Sequence, residues 1–155
     1  MTVEQKLAAR GLALPVPPQP LGAYRATVEA NGTLRISGQV PLRDGQVVFK
    51  GRVGEALTVE QGKQAAELTA LNVLAQIHRH LGGFDRLVQL IHVEGYVASA
   101  EGFYDQPGVI DAASNLFADV LGDKAGHTRA VFSQTQLPAN AAIILVVTAQ
   151  IEPQK

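Results

Sequence analysis

The chain contains no cysteine and no tryptophan. The missing thiols rule out disulfides, thiolate nucleophiles and cysteine-ligated metals, and leave either redox compartment open. Charge of one sign is also missing. Thirteen Lys and Arg stand against 14 Asp and Glu, for a formal net charge of −1. Such a balance, without basic clusters, offers no general attraction to phosphate backbones or anionic membranes, so neither nucleic acid nor a membrane is expected as a partner. No run of 18 apolar residues occurs, and residues 1–10 hold no continuous apolar segment of the signal-peptide kind. Export and membrane insertion are therefore not expected, and a cytoplasmic location is. Phosphate-binding glycine loops and dehydrogenase or kinase fingerprints are absent too, and no cofactor is expected. His78 and His80 are two apart on a predicted helix, about 200° around its axis, and cannot share one metal ion; no metal site is expected.

What is present is 46% hydrophobic residues in 155 positions. That suits a single domain over 1–155, burying roughly 70% of its unfolded surface. Residues 3–10 suggest a short helix ending at Gly11, followed by a proline-rich arm over 14–20 that must be extended. Strand composition at 24–30 and 33–39 flanks Asn31-Gly32, a strong hairpin signal, and a further strand over 46–49 follows Asp44-Gly45. Thr58 with Gln61 three residues later reads as a capping box. It opens a helix whose stripe of Ala66, Ala70, Val73, Leu74, Ile77 and Leu81 ends at Gly82-Gly83. Residues 86–98 read as a strand in which Gly95 marks a bulge or a close approach. Asp105 caps a second helix with an inward stripe from Val109 to Leu121. Strands over 130–136 and 142–151 close the chain, and the last is apolar enough to be central or buried on both faces. The sum is an α+β layer with helices on one sheet face. Nothing remains in the chain to cover the other face, which points to a homo-oligomer.

One residue stands out against this pattern. Arg129 precedes the apolar Ala130, Val131 and Phe132 at the start of a predicted strand, and burying a guanidinium unpaired is costly. It must meet an anion, either a protein carboxylate or a bound one.

The segment His-Thr-Arg-Ala-Val-Phe-Ser-Gln-Thr-Gln-Leu-Pro over 127–138 resembles the signature of the reactive intermediate deaminase family (RidA, or YjgF), which places an arginine nine residues before a Leu-Pro turn. Leu21-Gly22-Ala23-Tyr24 is similar to the family's Ile-Gly-Pro-Tyr, and Ser37-Gly38-Gln39 matches its Ser-Gly-Gln. The resemblance spans roughly residues 12–152. It implies a chorismate-mutase-like fold, with a mixed six-stranded sheet and two helices on one face, and a homotrimer with ligand clefts between subunits. It also implies an activity: enamine/imine deaminase, hydrolysing small reactive 2-imino acids to 2-keto acids and ammonia.

By the same resemblance, Arg129 and Tyr24 are candidate catalytic residues, Arg129 gripping a substrate carboxylate. Ser37, Gly38, Asp111 and Val131 would line the cleft with them. Each has a plainer reading beside it. Tyr24 could be an edge aromatic, Ser37-Gly38 a strand bulge, Asp111 a solvated helix residue, and Arg129 an inter-subunit salt bridge to Asp111 or Glu94. The chain departs from the family on the last strand, where Ile144 replaces a glutamate that serves the attacking water. Losing a general acid or base typically costs about 10²–10⁴ in rate. Asp111, Glu94 or Glu101 could stand in. The alternative function is a non-catalytic trimeric binding protein for small carboxylates. Ribonuclease activity, a third possibility attached to parts of the family, is disfavoured by the charge.

Overall fold

The last strand organises the fold. In the computed structural model, which describes residues Met1–Lys155, β7 (Ile143–Ile151) is the middle strand of a five-stranded sheet of order β1-β2-β7-β5-β6. The others are β1 (Thr27–Ala30), β2 (Thr33–Gln39), β5 (Leu87–Ala98) and β6 (Thr128–Gln134). β7 runs antiparallel to both neighbours, whereas β5 and β6 are parallel. A parallel pair requires a crossover, and the helix α3 (Gln106–Leu121) provides it. Ile143, Leu145, Val147, Ala149 and Ile151 are buried on the side covered by α3 and by α2 (Val59–Leu81). The alternate residues Ile144, Val146 and Thr148 are only half-buried, on the side without helices.

The helices begin and end where their capping residues stand. Thr58 and Gln61 form the reciprocal capping box at the start of α2, and Gly82, at φ 72°, closes its C-terminus in the left-handed region. The Asp105 side chain accepts from Gly108 N at the start of α3. Asn31 and Gly32, at φ 49° and 74°, make the β1–β2 turn. Gly95 is a close approach rather than a bulge: a Cβ there would stand 2.8 Å from both Cδ1 and Cγ1 of Ile110.

Three expectations need correction. The main sheet has five strands, not six, because Gln46–Val47 (β4) pairs only with Leu42–Arg43 (β3) in a separate hairpin. Asn72 of α2, fully buried, donates to the carbonyls of Val40 and Leu42 at 2.9 and 3.0 Å and pins that exit to the helix. The short helix expected over 3–10 is α1 (Val3–Ala9), which joins the two sheet-covering helices by burying Leu7 and packing on α3, with Arg10 bonded to Asp119 and Glu67. β1 starts at Thr27 rather than residue 24, because Tyr24 N turns back onto Gly22 O at 2.9 Å. β6 starts at Thr128, so Arg129 lies inside it rather than ahead of it.

The proline-rich arm is packed down: Leu12 and Leu14 rest on the core, and Gln76 donates to Pro18 O at 2.8 Å. The sheet face away from the helices carries Val28, Tyr96, Phe132, Ile144 and Val146, with Val28 and Phe132 nearly half exposed. No helix is long and apolar enough to cross a membrane.

Candidate functional site

Sheet register decides where Arg129 points. It pairs with Val93, which is buried toward the helices, so its side chain also rises on the helix side of the edge strand β6. There α3 offers Asp111 and Ser114, three residues apart and hence on one helix face. Nη1 of Arg129 donates to Asp111 Oδ1 at 2.7 Å and to Ser114 Oγ at 3.2 Å. Both bonds use Nη1, so Nε and Nη2 are left for another acceptor. The arginine side chain is 24% exposed and that of Asp111 55%, which makes this an ion pair open to solvent on one side.

The bonds continue beyond Ser114 in a fixed direction. His127 Nδ1 lies 2.5 Å from Ala125 O, and a carbonyl only accepts, so Nδ1 holds the proton. When the imidazole is neutral, His127 Nε2, 3.0 Å from Ser114 Oγ, accepts the serine proton, which leaves that oxygen free to receive Arg129. The result is a chain from Arg129 through Ser114 to the His127 imidazole. Neither Ser114 nor His127 was singled out from the sequence. The available signals were the three-residue step from Asp111 to Ser114 on a helix and the His-x-Arg spacing of 127 and 129, each too common alone to mean anything.

The other candidates lie elsewhere. Tyr24 is 55% exposed, and its hydroxyl oxygen accepts from Leu21 N at 3.4 Å. Ser37 sits in an irregularity of β2 and donates to Arg25 O at 2.6 Å. Gly38 stands against Ile144, whose Cγ2 would be 3.2 Å from a Cβ placed there. β2 is three strand positions from β6, about 14 Å at normal strand spacing. One chain therefore brings Arg129, Asp111 and Val131 together at one edge and Tyr24, Ser37 and Gly38 together near the other, but does not join the two groups.

The three acids considered as replacements also separate. Asp111 is beside Arg129. Glu94 is on the open sheet face with Ile144, one rung away, since Glu94 pairs with Val146 and Tyr96 with Ile144. Its Oε2 accepts the Tyr96 hydroxyl at 2.8 Å and its Oε1 is 3.7 Å from His92 Nε2. The hydrogen bond to Glu94 holds the Tyr96 phenol above its ordinary pKa of 10.0, with burial adding in the same direction. Glu101 lies in the exposed turn after β5. His78 faces Glu4 and His80 faces Glu29, and no group of three or more His, Asp or Glu comes together in a metal-binding arrangement.

A mixed sheet with a central antiparallel strand, helices on one face and an arginine on the edge strand defines the class. The chain belongs to the family described as "YjgF/chorismate mutase-like, putative endoribonuclease", whose model matches residues 4–151. Among individual relatives, Protein TCP17 of Trypanosoma cruzi is 34% identical over 142 residues, covering 91% of this chain and 89% of that one. The crystal structure of Atu1372 from Agrobacterium tumefaciens, a protein of unknown function, is 35% identical with a TM-score of 0.91, over 97% of this chain and 92% of that one. A Shewanella oneidensis structure bearing the family's endoribonuclease description is 29% identical with a TM-score of 0.93, over 97% and 100%.

Proposed function

We propose that the protein hydrolyses small 2-imino acids to 2-keto acids and ammonia, in clefts completed by a second copy of the chain within a homotrimer. The observation that carries this reading is the Arg129–Asp111 pair. A 2-imino acid in its protonated form has an anionic carboxylate bonded directly to a cationic C=N carbon. A guanidinium with two free donors, 2.7 Å from a carboxylate, matches both charges of such a substrate: Nε and Nη2 take the carboxylate, and Asp111 accepts from the iminium N–H. Water adds to the polarised carbon and gives its proton through Ser114 to His127 Nε2. The proton returns to the carbinolamine nitrogen, ammonia leaves as the hydroxyl proton passes back through Ser114 to His127 Nε2, and the keto acid remains.

The separation of Tyr24, Ser37 and Gly38 from Arg129 supports the oligomeric part of the reading. A neighbouring copy can present its β1–β2 end to the β6 edge, and packing between copies would cover the open face bearing Phe132 and Ile144. A second reading, a binding protein for small carboxylates without turnover, is favoured by one observation. Ile144 puts an aliphatic group beside Gly38, where an acid would serve water.

The deciding experiment follows keto-acid formation from 2-aminoacrylate, generated in situ from serine by a dehydratase, with semicarbazide competing for free imine. Wild type should accelerate hydrolysis, and Arg129→Ala, Asp111→Asn and His127→Gln should each lose most of that acceleration. Inert wild type with gain of activity in Ile144→Glu would instead establish the binding reading.

A further inference from the structure

A polar cavity of about 440 Å³ opens where β5 and β6 end and α3 begins. Its volume falls in the range of small-molecule sites. It is distinct from the Arg129 cluster. Ser133, on its wall, faces the helix side as Arg129 does but is four residues further along β6, about 13 Å at strand rise.

The floor is built and its polarity is fixed. Gln106 is 8% exposed and Ser99 6%. Gln106 Nε2 lies 2.7 Å from Phe103 O and 3.1 Å from Ser99 Oγ. A carbonyl cannot donate, so the amide nitrogen must be the atom facing Phe103. Ser99 Oγ donates onward to Val97 O at 2.9 Å and thus receives Gln106. With its nitrogen turned inward, Gln106 presents Oε1 to the cavity as an acceptor with no protein donor. No protein group donates to this oxygen, and it is not sealed off from solvent. Above this floor stand one cation, Arg52, and one carboxylate, Glu101, with the exposed Tyr104 at the rim. Arg52 is held at the wall because its neighbour Val53 is bonded through the backbone to Ala98 and Ala100 at the end of β5. Only its Nε approaches Glu55, at 3.4 Å, and its two terminal nitrogens are uncommitted.

We infer that this cavity is a binding site for a small zwitterion of the α-amino acid type. The carboxylate of the ligand is taken by Arg52, and its ammonium by Glu101 and Gln106 Oε1. A ligand with only a carboxylate leaves Glu101 without a counterpart, and one with only an ammonium leaves the two terminal nitrogens of Arg52 unfilled.

The test is an NMR titration of the full-length ¹⁵N-labelled protein with L-serine and with L-phenylalanine, against propionate and ethanolamine as single-charge controls. The expected result is saturable shifts at the Gln106 side-chain amide and at the backbone amides of Ser99 and Ser133 with either amino acid. Those shifts persist in Arg129→Ala, and affinity falls about tenfold in Arg52→Gln and in Glu101→Gln, the loss of one charge-assisted contact. Absence of saturable shifts at these groups with both amino acids overturns the inference. So does equal binding of propionate or ethanolamine, unchanged affinity in both charge variants, or loss of the shifts in Arg129→Ala, which would place the ligand at the arginine cluster instead. Amide shifts do not depend on turnover, so this result is independent of whether imine hydrolysis is observed.

Discussion

Gly95→Ala tests the packing that sets the Arg129 site. Gly95 lies on β5 between Leu145 of β7 and Val131 of β6, and Ile110 of α3 fills the space its missing side chain leaves. A Cβ at 95 would meet Ile110 Cδ1 and Cγ1 at 2.8 Å and Cγ2 at 3.0 Å. Because Cγ2 is attached to the Ile110 Cβ, rotating the outer methyl away does not relieve the clash; the helix must move or the side chain must leave its rotamer. Overpacking of this kind costs about 1–3 kcal/mol. Loss of glycine's freedom in the unfolded chain offsets about 0.4–1 kcal/mol of it, leaving about 1–2 kcal/mol of destabilisation. That corresponds to a fall in Tm of about 2–8 °C for a chain of this size. Urea unfolding at fixed protein concentration measures it. A double-mutant cycle with Ile110→Ala, which removes all three clashing atoms, should show the two substitutions to be less than additive. Since Asp111 follows Ile110, the displaced helix also loosens the Asp111–Arg129 contact. A Gly95→Ala protein as stable as wild type, or strict additivity in the cycle, would refute the claim that this contact sets the distance between α3 and the sheet.

Three further outcomes follow from single contacts. The Glu29 carboxyl is held below its ordinary 4.5, first by the hydrogen bond from His80, with burial next in size and opposing it, and then by the hydrogen bond and charge of Arg86. A depressed folded-state pKa gives stability that is present above about pH 4.5 and lost as pH falls through the lower value, so the gap between wild type and Glu29→Gln should close on acidification; a pH-independent gap would contradict it. Tyr96, whose pKa is raised above 10.0 by Glu94, should ionise earlier in Glu94→Gln. The highest-pH component of the phenolate absorbance of the three tyrosines reports this, and an unmoved component would show that the Tyr96–Glu94 bond is not made in solution. Asn72→Ala strands two carbonyls, those of Val40 and Leu42, and should cost about 1–3 kcal/mol in urea unfolding, with a cost under about 0.5 kcal/mol counting against its role in directing β3 away from the sheet.

Local signals were legible wherever a residue's own backbone or nearest neighbours impose the outcome. Asn31-Gly32 accepts positive φ and made its hairpin; Thr58 with Gln61 satisfied free helix N–H groups and made its cap; Gly82 ended α2. The apolar run at 143–151 fixed the strand that had to be central. The family was legible for a similar reason, since the spacing from Arg129 to Leu137-Pro138 sits within one strand and one turn. The sixth strand was misread because composition shows that 46–49 can pair but not with what. That was decided by Asn72, some 30 residues away in sequence, capturing Val40 and Leu42.

The sequence by itself determined that an arginine in an apolar strand needs an anion, that helices cap where they do, and that one sheet face has no cover from its own chain. The tertiary structure decided which anion: the parity of the β5–β6 register turns Arg129 toward α3, where helix spacing presents Asp111 and Ser114. It also decided that Glu94 shares a face with Ile144, that Tyr24 and Ser37 lie strands away from Arg129 in the same copy, and that Gln106 leaves one oxygen open in a cavity. These are choices between faces and between distant partners, and a one-dimensional pattern with periods of 2 and 3.6 residues cannot carry them.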